Sequence, residues 1–253
     1  MNLSMITLMR ALAIGLLLAV WWPVLMRPHA SVLPSLIVSG LVFAALVWHA
    51  HWLRAGQLTL IRRHPLPSFL RQKLLRAHPL LSDAALRDVE RGLRQFFNAN
   101  AQAEGRFVAM PSKVVDTLWH EFILHTRGYE VFCHKAFGRL LHHTPAEALP
   151  AAKGGAARNP IQLEGLRRAW YWACREEGID PRKPSRLPLL FSLDATLGIV
   201  GGYVYALDCA ALGADRRGTH CAGDLSSGCG GGGDSGGDAD GGDGGGGCGG
   251  GGD

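Results

Sequence analysis

Five of the eleven histidines lie between residues 120 and 143, so this segment is the first candidate for metal or acid–base chemistry. His120-Glu121-Phe-Ile-Leu-His125 resembles the zincin motif, in which two histidines four residues apart bind zinc. Here the histidines are five residues apart, and five helical residues rotate a side chain by about 140°. The two rings therefore diverge, and the sequence excludes a zincin-type metalloprotease.

The same segment offers a different metal site. Asp116 and His120 are four residues apart, on one face of a predicted helix. His142 and His143 follow Gly138 and can return to that face. We predict that Asp116, His120 and one or both of His142 and His143 bind zinc or iron, with a position left for water or substrate. The alternative is that these polar groups only hydrogen-bond one another and fix the loop to the helix.

Glu121 is the candidate general base if such a site catalyses hydrolysis. His125 lies inside the apolar arc of the same helix, between Val114 and Leu118. We therefore predict a buried structural histidine there, paired with Glu121 or with a backbone carbonyl.

A second set of ligand types comes later in the chain: Cys209, His220, Cys221 and Cys229. These residues could bind a structural zinc ion, but no CxxC pair supports that reading. The six cysteines are expected to stay reduced, because the domain is expected in the cytoplasm.

Helices must position these residues. Ser82, Ser112 and Asn159 are N-cap residues ahead of three amphipathic stretches, and Asn159 is followed by a proline. We predict a short helix over 68–77, then helices that start after each cap. Gly128 is expected to interrupt the helix that carries His120, and Gly138 to close the next one. The fold class is thus mainly α.

The apolar run at 187–207 contains Gly201-Gly202 between two apolar stretches, which predicts a short β-hairpin or an extended segment packed on the helices. The run is long enough to raise a third membrane span. Asp194 and Pro188 disfavour that interpretation, since a charge at the centre of a spanning helix costs about 2.5–3.5 kcal/mol.

The N-terminus contains two uncharged apolar runs, 11–26 and 30–48, separated by Arg-Pro-His. We predict a transmembrane helical hairpin over 1–53, with tryptophans at its interfacial ends. A cleaved or interfacial first segment is the alternative. Arginines are concentrated after Trp52, so the positive-inside rule places the body, 54–221, in the cytoplasm.

Charge is distributed unevenly along the chain. The net formal charge is +2 in the anchor, +9 over 52–220 and −6 in the last 32 residues, which hold 18 of the 34 glycines. The basic residues after the anchor favour anionic membrane lipids as partners. No RNA-binding aromatic motif accompanies them, which disfavours nucleic acid. The tail, 222–253, is predicted to be disordered.

Three motifs carry a family resemblance: Val-Asp-Thr-Leu-Trp-His at 115–120, Thr126-x-x-Tyr129-x-x-Phe132-Cys133, and Phe137-Gly138-Arg139 followed by His142-His143-Thr-Pro. This block, within 107–145, resembles the glycine-rich domain-containing proteins of plants and bacteria. The resemblance implies a bacterial inner-membrane protein but no assigned catalytic residues.

Two functions remain open from the sequence. The favoured one is a membrane-anchored, non-enzymatic interaction module with a protein partner. The alternative is a membrane-tethered, metal-dependent enzyme, such as a hydrolase.

Overall fold

The computed structural model describes residues 3–26, 32–144, 159–207 and 219–226. Within these ranges the chain is mainly helical, as predicted, with one two-stranded sheet. The elements are α1 (Leu3–Met26), α2 (Leu33–Arg63), α3 (Phe69–Ala77), α4 (Asp83–Gln102), α5 (Lys113–Leu124), α6 (Thr126–Phe137), α7 (Pro160–Glu176), α8 (Leu189–Thr196), β1 (Val204–Ala206), β2 (Thr219–Cys221) and α9 (Ala222–Ser226).

The first two helices pack against each other. The Trp21 indole nitrogen donates to Ser39 Oγ at 3.0 Å, and Ser35 Oγ donates to the Val20 carbonyl at 3.0 Å. Between residues 11 and 52, most other large apolar side chains of α1 and α2 are exposed. Among the described residues, α2 is the helix long and apolar enough to cross a membrane.

The predicted boundary between anchor and body, at residue 53, lies within α2. α2 continues without a break to Arg63, and Ile61, in its last turn, is fully buried in the body. The same helix is therefore the end of the apolar hairpin and part of the domain core. A continuous helix, rather than a flexible linker, therefore connects the apolar hairpin to the body.

The predicted N-caps are confirmed. Ser82 Oγ accepts from Ala85 N, Ser112 Oγ accepts from Val115 N, and Asn159 Oδ1 accepts from Ile161 N. Each cap satisfies a backbone N–H that has no partner within its own helix. These caps begin α4, α5 and α7.

The core surrounds α4, which packs against α2, α5, α7 and α8. Phe97 of α4 lies at the centre of an aromatic group that joins α4 to α5 and α6, with ring centroids 5.1 Å from Phe132 and 6.4 Å from Phe122. On the opposite side, Trp170 of α7 packs edge-on against Phe191 of α8. The site helix α5 is therefore fixed along one whole face.

Two predictions about the region after Pro188 need correction. Residues 189–196 form the short helix α8 rather than an extended segment, and Leu190, Phe191 and Leu193 are buried against the other helices, which agrees with the interpretation that disfavoured a membrane span. The strands β1 and β2 pair in parallel, with Tyr205 opposite His220, rather than as a hairpin. A parallel pair needs a long connection, which the Gly-Gly turn could not provide.

The body extends beyond its predicted end at residue 221. Residues 222–226 form α9, in which Ala222 and Leu225 are buried. The rest of the predicted disordered tail lies outside the described residues. Cys133 and Cys174 are buried, and Cys221 is disulfide-bonded, so the expectation that all six cysteines stay reduced is wrong for Cys221.

Candidate functional site

The first part of the site is the helix α5, which carries Asp116 and His120 one turn apart. A buried carboxylate fixes the start of this helix. Asp194 of α8 accepts from Ser112 Oγ and from the backbone N–H of Lys113, both at 2.7 Å, and from Val114 N at 3.2 Å. A negative charge at a helix N-terminus also interacts favourably with the helix dipole.

The second part is the segment that follows α6. Gly138 ends this helix in the left-handed conformation (φ 70°), which glycine adopts without steric cost. Tyr129 Oη then donates to the Leu141 carbonyl at 2.6 Å and accepts from the Trp119 indole N–H at 3.1 Å. Burial raises the pKa of the Tyr129 phenol far above its usual range, so it stays a neutral donor.

These two parts bring three of the predicted ligands together. Asp116 Oδ2 lies 3.5 Å from His120 Nδ1, and Asp116 Oδ1 lies 3.3 Å from His143 Nε2. The two imidazole rings are 4.4 Å apart between centroids. One ligand atom from each residue can be chosen so that all three lie within 4.8 Å of one another.

This arrangement suits a transition metal. Zinc binds imidazole nitrogen and carboxylate oxygen at about 2.0–2.2 Å, which places neighbouring ligand atoms about 3.4 Å apart in a tetrahedral site. Small rotations of side chains that are partly exposed would close the remaining gap. Three protein ligands would leave one position for water or another ligand.

The other candidates of this segment lie elsewhere. His142 is exposed and lines a neighbouring pocket rather than the cluster. Glu121 Oε2 lies 3.5 Å from Lys73 Nζ of α3, so the structure gives no support to its role as general base. The prediction that His125 is a buried core histidine is wrong. It is exposed at the break between α5 and α6, three residues before the predicted break at Gly128, and its ring packs against Phe69.

The second ligand set is not assembled by the described residues. Cys209 and Cys229 lie outside them. His220 stacks on Tyr205, with ring centroids 5.1 Å apart. Cys221 is disulfide-bonded, and a disulfide sulfur does not provide the thiolate that zinc binds.

A pocket of about 210 Å³ lies beside the cluster. It shares His143 with the cluster, and Trp119, which packs against the His143 ring, also lines it. Arg106, Arg139 and His142 supply further polar groups. Among the described residues, no acidic side chain lines it.

A family model described as UCP032817-like matches residues 56–225, about two thirds of the chain. The chain belongs to the UCP032817-like family. No curated protein and no solved structure matches it. The matched UCP032817-like region includes the last two turns of α2, the whole Asp116, His120 and His143 cluster, the pocket, and α9 up to Leu225.

Sequence reasoning missed Asp194 as a positioning residue in the UCP032817-like region. It considered this carboxylate only as an obstacle to membrane insertion. Asp194 is 3% exposed and also accepts from Tyr203 N at 2.9 Å, so it joins α5, α8 and the turn before β1. The available signal was a single acid within a long apolar run, since a buried carboxylate needs hydrogen-bond donors around it.

Proposed function

We propose that the chain is a membrane-anchored protein whose helical domain binds a divalent transition-metal ion, such as zinc or iron, through Asp116, His120 and His143. The observation that carries this proposal is the convergence of the three ligand atoms within 4.8 Å from two separate segments of the chain.

The surroundings of the cluster support the proposal. Asp194 holds the start of α5, and the Trp119–Tyr129–Leu141 hydrogen bonds hold the segment that delivers His143. Metal affinity depends on such supporting contacts as well as on the ligands. Ligands that are already held in place lose less conformational freedom when the metal binds. No general base accompanies the cluster among the described residues, so we propose metal binding rather than a particular reaction.

The hairpin of α1 and α2 supports the membrane part of the proposal. Its apolar side chains are exposed, and Trp48 and Trp52 lie where α2 would leave the bilayer. The arginines that follow Trp52 favour a body on the cytoplasmic side of a bacterial inner membrane. Anionic lipids are the partners that these arginines favour.

Elemental analysis of the full chain tests the metal site. The protein is purified in detergent without a metal-affinity step, beside His120→Ala and the control His134→Ala. His134 also forms an i,i+4 pair with a carboxylate, Glu130, at 3.9 Å, but the described part of the chain places no third ligand beside them. We expect about one equivalent of metal in wild type and in the control, and little in His120→Ala. Absence of metal from folded wild type would refute the proposal.

The second candidate is the non-enzymatic interaction module. Its support within the body is limited to single exposed apolar side chains, of which Leu80 is 100% exposed and Val200 is 90% exposed. The relation to the glycine-rich domain-containing proteins also remains a proposal. Its support is that the residues that carry the resemblance lie in α5, α6 and the segment after them, which form the candidate site.

A further inference from the structure

The pocket beside the cluster has the electrostatics of an anion site. Arg106 and Arg139 line it together with His142 and His143. Among the described residues neither arginine has a carboxylate within ion-pair distance. Arg106 uses its Nε to donate to the Ala103 carbonyl at 3.2 Å, which leaves its terminal nitrogens available.

Both arginines line the same pocket, and a tight turn after α4 lies between them. Glu104 and Gly105 both have positive φ, 53° and 85°. This turn brings Gly105 so close to Arg139 that a Cβ at position 105 would lie 3.7 Å from Arg139 Nη2. The guanidinium groups of residues 106 and 139 are thus brought to one small concavity.

The chemistry of this lining selects an oxyanion. Guanidinium groups bind phosphate through paired hydrogen bonds, and imidazole adds a further donor. At about 210 Å³ the pocket is smaller than the sites that enclose drug-sized ligands, about 300–1,000 Å³. It therefore suits a phosphate group rather than a large molecule.

The position of the pocket indicates where the phosphate comes from. Glu104, which precedes the pocket residue Gly105, makes an ion pair with Arg54 of α2. Arg54 is two residues after Trp52, about 3 Å further along the helix axis. If Trp52 lies at the membrane–water interface, the side of the pocket that contains Gly105 lies near the level of the lipid headgroups.

We propose that this pocket binds a phosphate monoester through Arg106 and Arg139, and that the monoester headgroup of an anionic phospholipid, such as phosphatidic acid, supplies it. The inference goes beyond the metal site and does not require it. The two sites share His143, so metal binding should order one wall of the pocket.

The test uses the full chain in phosphatidylcholine nanodiscs, titrated with inorganic phosphate by calorimetry, with and without added zinc. Arg106→Met and Arg139→Met remove one guanidinium each. Arg127→Met is the matched control, because Arg127 is exposed on α6 and does not line the pocket. Each pocket variant removes the hydrogen bonds of a charged group to the phosphate, so it should weaken binding by about 10- to 150-fold.

A second arm adds phosphatidic acid to the nanodiscs. If the headgroup occupies the pocket, the apparent affinity for inorganic phosphate falls. An unchanged affinity would overturn the lipid as the source of the phosphate and would leave a soluble phosphate compound as the ligand. No saturable binding with or without zinc, or an equal loss in Arg127→Met, would overturn the proposal. The metal content of the same samples reports on the metal site separately.

Discussion

The substitution Asp194→Asn tests whether one buried carboxylate organises the site helix. The amide keeps the shape of the side chain but accepts fewer hydrogen bonds. The carboxylate has four donors: Ser112 Oγ and the backbone N–H groups of Lys113, Val114 and Tyr203. Whichever way the amide is oriented, its NH₂ group faces at least one of these N–H groups, which loses its acceptor.

The expected cost follows from these contacts. Each buried N–H group without a partner costs about 1–3 kcal/mol, and the lost charge at the start of α5 adds up to about 1–2 kcal/mol. We estimate a loss of about 2–4 kcal/mol in the free energy of unfolding. For a chain of this size, that corresponds to a decrease in Tm of about 4–16 °C.

Thermal melting of the full chain in detergent, followed by circular dichroism, measures this effect. Asp180→Asn is the control, because Asp180 is exposed and accepts only from Arg182 N at 2.9 Å in the described structure. We expect the control to shift Tm by less than about 2 °C, since surface substitutions usually change stability by within 0.5 kcal/mol. Equal shifts in the two variants would refute the role given to Asp194.

Three further predictions concern the packing around Asp194, the support of His143 and the side of the membrane on which the body lies. Gly202→Ala should destabilise the domain in a thermal melt, because the added Cβ would lie 2.7 Å from Asp194 Cβ and 3.0 Å from the Ile199 carbonyl; an unchanged Tm would contradict that packing. Tyr129→Phe removes the donor to the Leu141 carbonyl and should weaken zinc affinity in a competition titration by about tenfold, as loss of supporting contacts typically does; unchanged affinity would show that His143 is held in another way. A fluorescent protein fused to the C-terminus should fluoresce if the body is cytoplasmic, whereas activity of an alkaline phosphatase fusion would place it outside, where the Cys221 disulfide would be expected.

Local signals in the sequence are sufficient for the three capped helices α4, α5 and α7. Ser82, Ser112 and Asn159 each precede an amphipathic stretch, and each caps the helix it was predicted to start. The i,i+4 spacing of Asp116 and His120 likewise predicts that both lie on one helical face, and Asp116 Oδ2 lies 3.5 Å from His120 Nδ1. These features depend on residues within one or two turns of each other, so a single sequence contains them.

Features that depend on distant residues were not accessible in this way. The partner of Asp194 is the start of α5, some 80 residues earlier. The parallel pairing of β1 with β2 depends on the connection between them, and the Gly201-Gly202 signal suggested a hairpin instead. The prediction of a core His125 assumes a helix that continues to Gly128, but α5 ends at Leu124.

The central claim is that Asp116, His120 and His143 bind one metal ion. X-ray absorption at the zinc edge, measured on the zinc-loaded full chain in detergent, tests it most directly. The account predicts nitrogen or oxygen ligands at about 2.0–2.2 Å with outer-shell scattering from two imidazole rings, and loss of one ring in His143→Ala. A sulfur shell at about 2.3 Å would contradict it and assign the metal to the cysteines instead.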